Sequence, residues 1–273
     1  MRLSRAALYG APAVLALALL ATPPGEPRAE PGRLPQPSPA VPPAAPHTLN
    51  AARGRIPGPG SVQPLIVSRE RWLGSAARPQ PAPRYSGRVT AVFIHHTDTP
   101  NSYDCADVPH TLRNLYEGQA GARHWDDIGY NFLVDRCGTV YEGRAGGVTK
   151  PVVGAHTQGF NHGTTGIAAI GTFTAGTPVP TAMTDAIARL VAWKLSLAGI
   201  DPRGRVSLVS THGLSRFAAG ERAVMDAVSG HIDAFETSCP GAALLERLPA
   251  IRQQAAEIQG RNLAVTRTAA PRS

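Results

Sequence analysis

The clearest periodicity in the chain lies between residues 181 and 197, where Met183, Ile187, Leu190, Val191 and Leu195, followed by Ala198, fall at the i, i+3/i+4 spacing. That spacing paints one face of an amphipathic helix, and Gly199 closes it. Elsewhere the apolar positions form short runs. Residues 89–95 are β-branched and aromatic, which predicts a buried strand, and residues 166–171 predict another. Between them, residues 109–117 predict a helix with Leu112, Leu115 and Tyr116 on one side. Its Pro109 suits a first turn, where a missing N–H does no harm. Residues 130–134 and 139–142 flank Asp135-Arg136-Cys137-Gly138, a hairpin signature. Residues 206–210 and 223–228 are further strand candidates, and a last helix starts after Pro240-Gly241 with Leu244, Leu245 and Leu248. Strands alternating with helices predict an α/β domain, a mixed central β-sheet flanked by helices.

The pattern weakens toward both ends. Arg2 and Arg5 precede the apolar stretch from Ala11 to Ala21, a signal-peptide core too short to span a bilayer comfortably. The expected organisation is a signal peptide at 1–29, a Pro/Ala-rich disordered linker at 30–63, a folded domain at 64–258 and a loose tail at 259–273. An uncleaved membrane anchor is the alternative at the start. No later stretch is apolar for long enough to be a span, so no stable membrane insertion is expected once the signal is removed. Export makes the protein secreted or cell-wall associated.

Charge and cysteine count then narrow the chemistry. The formal charge is +8, carried almost wholly by arginine, with Lys150 and Lys194 the only lysines. Such a protein is drawn to anionic surfaces such as wall polymers. No aromatic-interleaved basic patch or reading helix is present, which argues against nucleic acid as partner. Three cysteines in an oxidising compartment cannot all pair. Pairing Cys105 with Cys137 leaves Cys239 alone, a liability unless a metal protects it; Cys239 bonded to either of the others is the competing arrangement.

Cys239 stands eight residues after His231, and the pair His95-His96 ends the apolar run Val92-Phe93-Ile94. Two imidazoles and a thiolate are a zinc set, and three protein ligands leave a fourth corner open for chemistry. Side chains alternate along a strand, so His96 points away from His95 and does not share its ion.

Seven blocks in order make a resemblance specific. They run through Ile66-Val67-Ser68-Arg69-Glu70-Arg71-Trp72, Phe93-Ile94-His95-His96-Thr97, Asp127-Ile128-Gly129-Tyr130-Asn131-Phe132, residues 138–144, Gly154-Ala155-His156 with Gly159-Phe160-Asn161, Gly166-Ile167, and residues 230–241. The chain resembles the peptidoglycan recognition proteins of the zinc amidase type, the type 2 N-acetylmuramoyl-L-alanine amidases. The resemblance implies that fold, with His95, His231 and Cys239 binding Zn2+, and Tyr130 and Thr237 as catalytic donors to the developing oxyanion. It also implies His156 and Asn161 as substrate contacts in a groove for peptidoglycan or muropeptides. The implied reaction is hydrolysis of the amide between N-acetylmuramic acid and L-alanine, by a protein expected to be monomeric. Asp233 is a candidate partner for a ligating imidazole, and Glu142 a candidate base. Two other readings stand beside it: a non-catalytic muropeptide-binding module, whose members usually lack the cysteine ligand, and a zinc peptidase, which would be expected to carry His-Glu-x-x-His, absent here.

Overall fold

The computed structural model describes residues 62–260. The expected signal peptide, nearly all of the linker and the tail beyond residue 260 lie outside the described residues. In chain order the elements are β1 (Ile66–Val67), α1 (Arg69–Leu73), β2 (Ala91–His96), α2 (Val108–Tyr116), β3 (Phe132–Val134), β4 (Val140–Glu142), β5 (Thr164–Ala169), α3 (Thr181–Ser196), β6 (Arg205–Val209), β7 (Arg222–Asp226), β8 (Val228–Gly230), α4 (Ala242–Leu245) and α5 (Leu248–Ile258). No helix among the described residues is long and apolar enough to cross a membrane.

Six strands form the central sheet in the order β1-β4-β3-β5-β2-β8, while β6 and β7 make a separate hairpin. All neighbours in the large sheet run parallel except β3 with β4, so it is mixed, as the alternation of elements predicts. Strand β2 is buried along its whole length because β5 and β8 flank its edges and both of its faces are covered.

Period-two alternation sorts the β2 side chains onto two faces. Val92 and Ile94 pack with Met183, Ile187, Leu190 and Val191 of α3 and with Ile251 of α5. On the other face, Trp72 of α1 and Leu112 and Tyr116 of α2 cover Leu133, Tyr141 and Ala168. The β6–β7 hairpin covers Ala91 and Phe93 through Leu208, Ala223 and Met225. His95 is the next residue of β2 on this second face, so the sheet delivers it at the point where the covering layer gives way.

Three elements depart from the pattern read in the chain. The run at 223–228 is two strands. Strand β7 pairs with β6 as far as Asp226, and β8 then turns onto β2, joined through Ala227, whose N–H reaches Gly204 and whose carbonyl accepts from Val92. The helix after Gly241 is also two, because Pro249 in the first turn of α5 has no N–H to continue the bonding from α4. The α2 helix runs on through a π-helical turn, Glu117–Ala122. Cys105 and Cys137 form a disulfide, Sγ–Sγ 1.99 Å, tying the turn before α2 to the β3–β4 hairpin.

A buried cation sits beneath the α3 face. The Lys194 ammonium donates to the carbonyls of Val148 at 2.6 Å and Lys150 at 2.9 Å, and lies over the rings of Phe132 and Trp193. Burial lowers its pKa to about 8.

Candidate metal centre and active site

Strand pairing assembles the first two residues of the site. Ile94 is paired with Gly230, so His95 and His231 emerge side by side one step further along parallel neighbours, their ring centroids 4.5 Å apart. His231 opens a single 3-10 turn, and Phe235 stacks on its ring at 5.4 Å with only 15° between planes. The chain then doubles back, the Ile232 N–H bonds the Cys239 carbonyl, and Cys239 Sγ is brought to 3.8 Å from His95 Nδ1. The backbone N–H of His96 donates to the same sulfur at 3.3 Å. His96 itself, facing the other way along the strand, contributes its backbone and not its ring.

One donor atom from each of His95, His231 and Cys239 lies within 4.8 Å of the other two. A tetrahedral zinc ion with bonds of about 2.1 Å to nitrogen and 2.3 Å to sulfur places such donors roughly 3.6 Å apart, so the set fits the ion with small adjustments. Electrostatics agree. Burial holds His95 well below the ordinary imidazole range, with His156, His231 and His96 adding to the effect, and burial followed by His96 brings His231 down to about 4. Both rings are therefore neutral, with lone pairs free to ligate. Burial pushes the Cys239 thiol up to about 12 against the help of the His96 amide. A thiolate here requires a bound cation to offset its desolvation.

Tyr130 enters just before β3, and its ring centroid lies 5.3 Å from that of His95. Burial first, and the nearby Cys239 second, raise the pKa of its phenol, which stays protonated as a hydrogen-bond donor. Its backbone is tightly held: Gln119 Oε1 accepts from Gly129 N–H, and Asn131 bonds Gly166 N–H and the Val152 carbonyl. Thr237 lies on the loop before Cys239, and its hydroxyl accepts the Cys239 N–H at 3.1 Å.

His156 is 6% exposed and meets His95 edge-on, with centroids 5.2 Å apart. Burial, with His231 and Arg144 behind it, lowers its pKa to about 3. Asn161 faces its own loop, its Oδ1 accepting from the N–H groups of His156 and Thr157. A side chain on residue 166 would collide with the His156 ring, which accounts for glycine there.

Two residues singled out in the sequence have other duties. The Asp233 carboxylate accepts from Gly230 N–H and caps the turn that carries His231. Glu142 accepts from the Arg69 N–H, next to the buried Arg69–Asp127 ion pair at 2.6 Å. Asp98, held at a left-handed φ of 56° after β2, is the carboxylate whose charge acts on His96, Tyr130 and Cys239. Sequence reasoning passed over Thr157, fully buried against His95 and His156. Its only signal was its place directly after His156, between two matched stretches.

Comparison with known proteins agrees with this architecture. The N-acetylmuramoyl-L-alanine amidase family profile matches residues 85–242. Peptidoglycan-recognition protein LB of Drosophila melanogaster is 28% identical over 192 residues, which is 70% of this chain and 70% of that protein. An N-acetylmuramoyl-L-alanine amidase of Sus scrofa is 31% identical over 188 residues, covering 68% of this chain but 27% of the pig protein. Among solved structures, peptidoglycan recognition protein-LE in complex with tracheal cytotoxin superposes with a TM-score of 0.52 at 28% identity, over 68% of this chain and 92% of that one. In fold and in sequence alike, this chain belongs to the N-acetylmuramoyl-L-alanine amidase family that includes the peptidoglycan recognition proteins.

Proposed function

We propose that this protein is a secreted zinc amidase that cleaves the amide between N-acetylmuramic acid and L-alanine in peptidoglycan. The observation that carries the reading is the convergence of His95, His231 and Cys239 with the protonated phenol of Tyr130 beside them. A zinc ion on those three residues supplies Lewis acidity to the scissile carbonyl and to the attacking water. Tyr130 donates a hydrogen bond to the oxygen on which negative charge develops, and Thr237 Oγ1, which accepts the Cys239 amide N–H, keeps its own proton to donate as a second such group. His156 and Asn161 belong to the groove side of the site: His156 has a buried Nε2 with no hydrogen-bond partner among the described residues, and Asn161 shapes the loop that holds it. Within this reading, the segments 1–29 and 30–63 export and tether the folded domain, which acts as a monomer at the wall, and the net charge of +8 favours that anionic surface.

A second reading is a recognition module that binds muropeptides without cleaving them. It is favoured by the recognition proteins among the relatives. Purified protein incubated with muropeptides, with and without chelator, separates the two. Free L-alanine amino termini that appear only without chelator support the amidase. Intact substrate retained in a measurable complex supports recognition alone. Cys239→Ser is the control, expected to lose bound zinc and turnover together.

A further inference from the structure

We infer that Thr157 is a positioning residue for His95, its hydroxyl fixing the ring tautomer that turns Nδ1 toward the metal. The inference rests on the metal reading proposed above. Three atoms form a buried triangle: Thr157 Oγ1 lies 2.9 Å from His156 Nδ1 and 3.3 Å from His95 Nε2, and the two ring nitrogens are 3.3 Å apart. A neutral imidazole has one donor and one acceptor nitrogen, and a hydroxyl has one proton. Only two arrangements satisfy the triangle. In one, His95 Nε2–H donates to Thr157 and the Thr157 hydroxyl donates to His156 Nδ1. In the other, every donor is reversed and His95 carries its proton on Nδ1.

The far side of the ring decides between them. Cys239 Sγ accepts the His96 N–H at 3.3 Å and faces His95 Nδ1 at 3.8 Å. A thiol proton directed at Nδ1 would make Nδ1 the acceptor and Nε2 the donor. That is also the form a metal at Nδ1 requires, since a ligating imidazole donates its other N–H to a fixed partner. The loop is built to hold the hydroxyl in place. Asn161 Oδ1 takes the N–H groups of both His156 and Thr157, and the His156 ring lies in space left by Gly154 and Gly166.

The test compares Thr157→Val, which keeps the shape and removes the hydroxyl, with Thr157→Ser, which restores it. The readouts are the His95 tautomer from long-range imidazole couplings in the metal-free protein and zinc affinity from competition with a chelator. Wild type and Thr157→Ser are expected to show His95 protonated on Nε2. Thr157→Val should show a mixed tautomer and zinc binding weaker by about 10–100-fold. Should the valine variant fail to fold, Thr157→Ala carries the same comparison. A hydroxyl-free variant with the wild-type tautomer and affinity overturns the inference. A wild type that takes up no zinc but keeps a Thr157-dependent tautomer sinks the metal reading and the positioning role with it, whereas a wild type that binds zinc with no Thr157 dependence overturns this inference alone.

Discussion

At the scale of single residues, Tyr130 and the three candidate ligands have separable duties. The phenol is held protonated by burial beside His95, so the contribution proposed for it is a hydrogen bond that strengthens as charge develops. Tyr130→Phe is expected to retain stoichiometric zinc by elemental analysis and to lose about 10²–10³ in turnover on muropeptides; a rate within twofold of wild type removes Tyr130 from the chemistry. His95, His231 and Cys239 were legible in the chain because imidazole and thiol are scarce groups standing in ordered blocks. Thr157 was not. Its duty depends on a ring 62 positions away, and a threonine beside a histidine carries no mark of that. The duty of Asp233 was hidden for a related reason, because only the backbone shows that its carboxylate accepts from Gly230.

At the scale of elements, the long amphipathic helix was the easiest feature to read, and α3 ends within a residue of its sequence pattern. Its one anomaly is Lys194, buried on the covered side and bonded to the carbonyls of Val148 and Lys150. Burial depresses this lysine to about 8 from an ordinary 10.5, so between those values the unfolded chain holds the extra proton. Stability supplied through this group therefore rises with pH across that window, by on the order of 3 kcal/mol. The buried thiol and phenols, raised in pKa, work in the opposite direction at high pH. The informative quantity is thus the difference between wild type and Lys194→Met in denaturant unfolding at pH 7.5 and 10.5. It should grow in favour of wild type by a few kcal/mol on the alkaline side, and a difference independent of pH would show that Lys194 is not depressed. The divided run at 223–228 was illegible because apolar content alone cannot say where a strand changes partners. Only the pairing of β7 with β6 and of β8 with β2 fixes the break.

At the scale of the molecule, the mixed sheet was readable from the alternation of elements, whereas strand order was not, since it depends on pairings between distant segments. The Cys105–Cys137 bridge spans 32 residues, and a loop of that length corresponds to about 3–4 kcal/mol of unfolded-state constraint. Replacing both cysteines by serine should lower Tm by on the order of 10 °C in a domain of this size, and a shift below about 2 °C would mean the bridge constrains little. The sheet order has a temporal consequence as well. His95 lies in the buried strand β2, while the sulfur facing it is 144 residues further along the chain. A ribosome must finish nearly the whole domain before the last candidate ligand emerges, and a fragment cut anywhere between them lacks at least one of the three. An amidase of the kind proposed, assembled this way, would be inert throughout its own synthesis and dangerous only once complete.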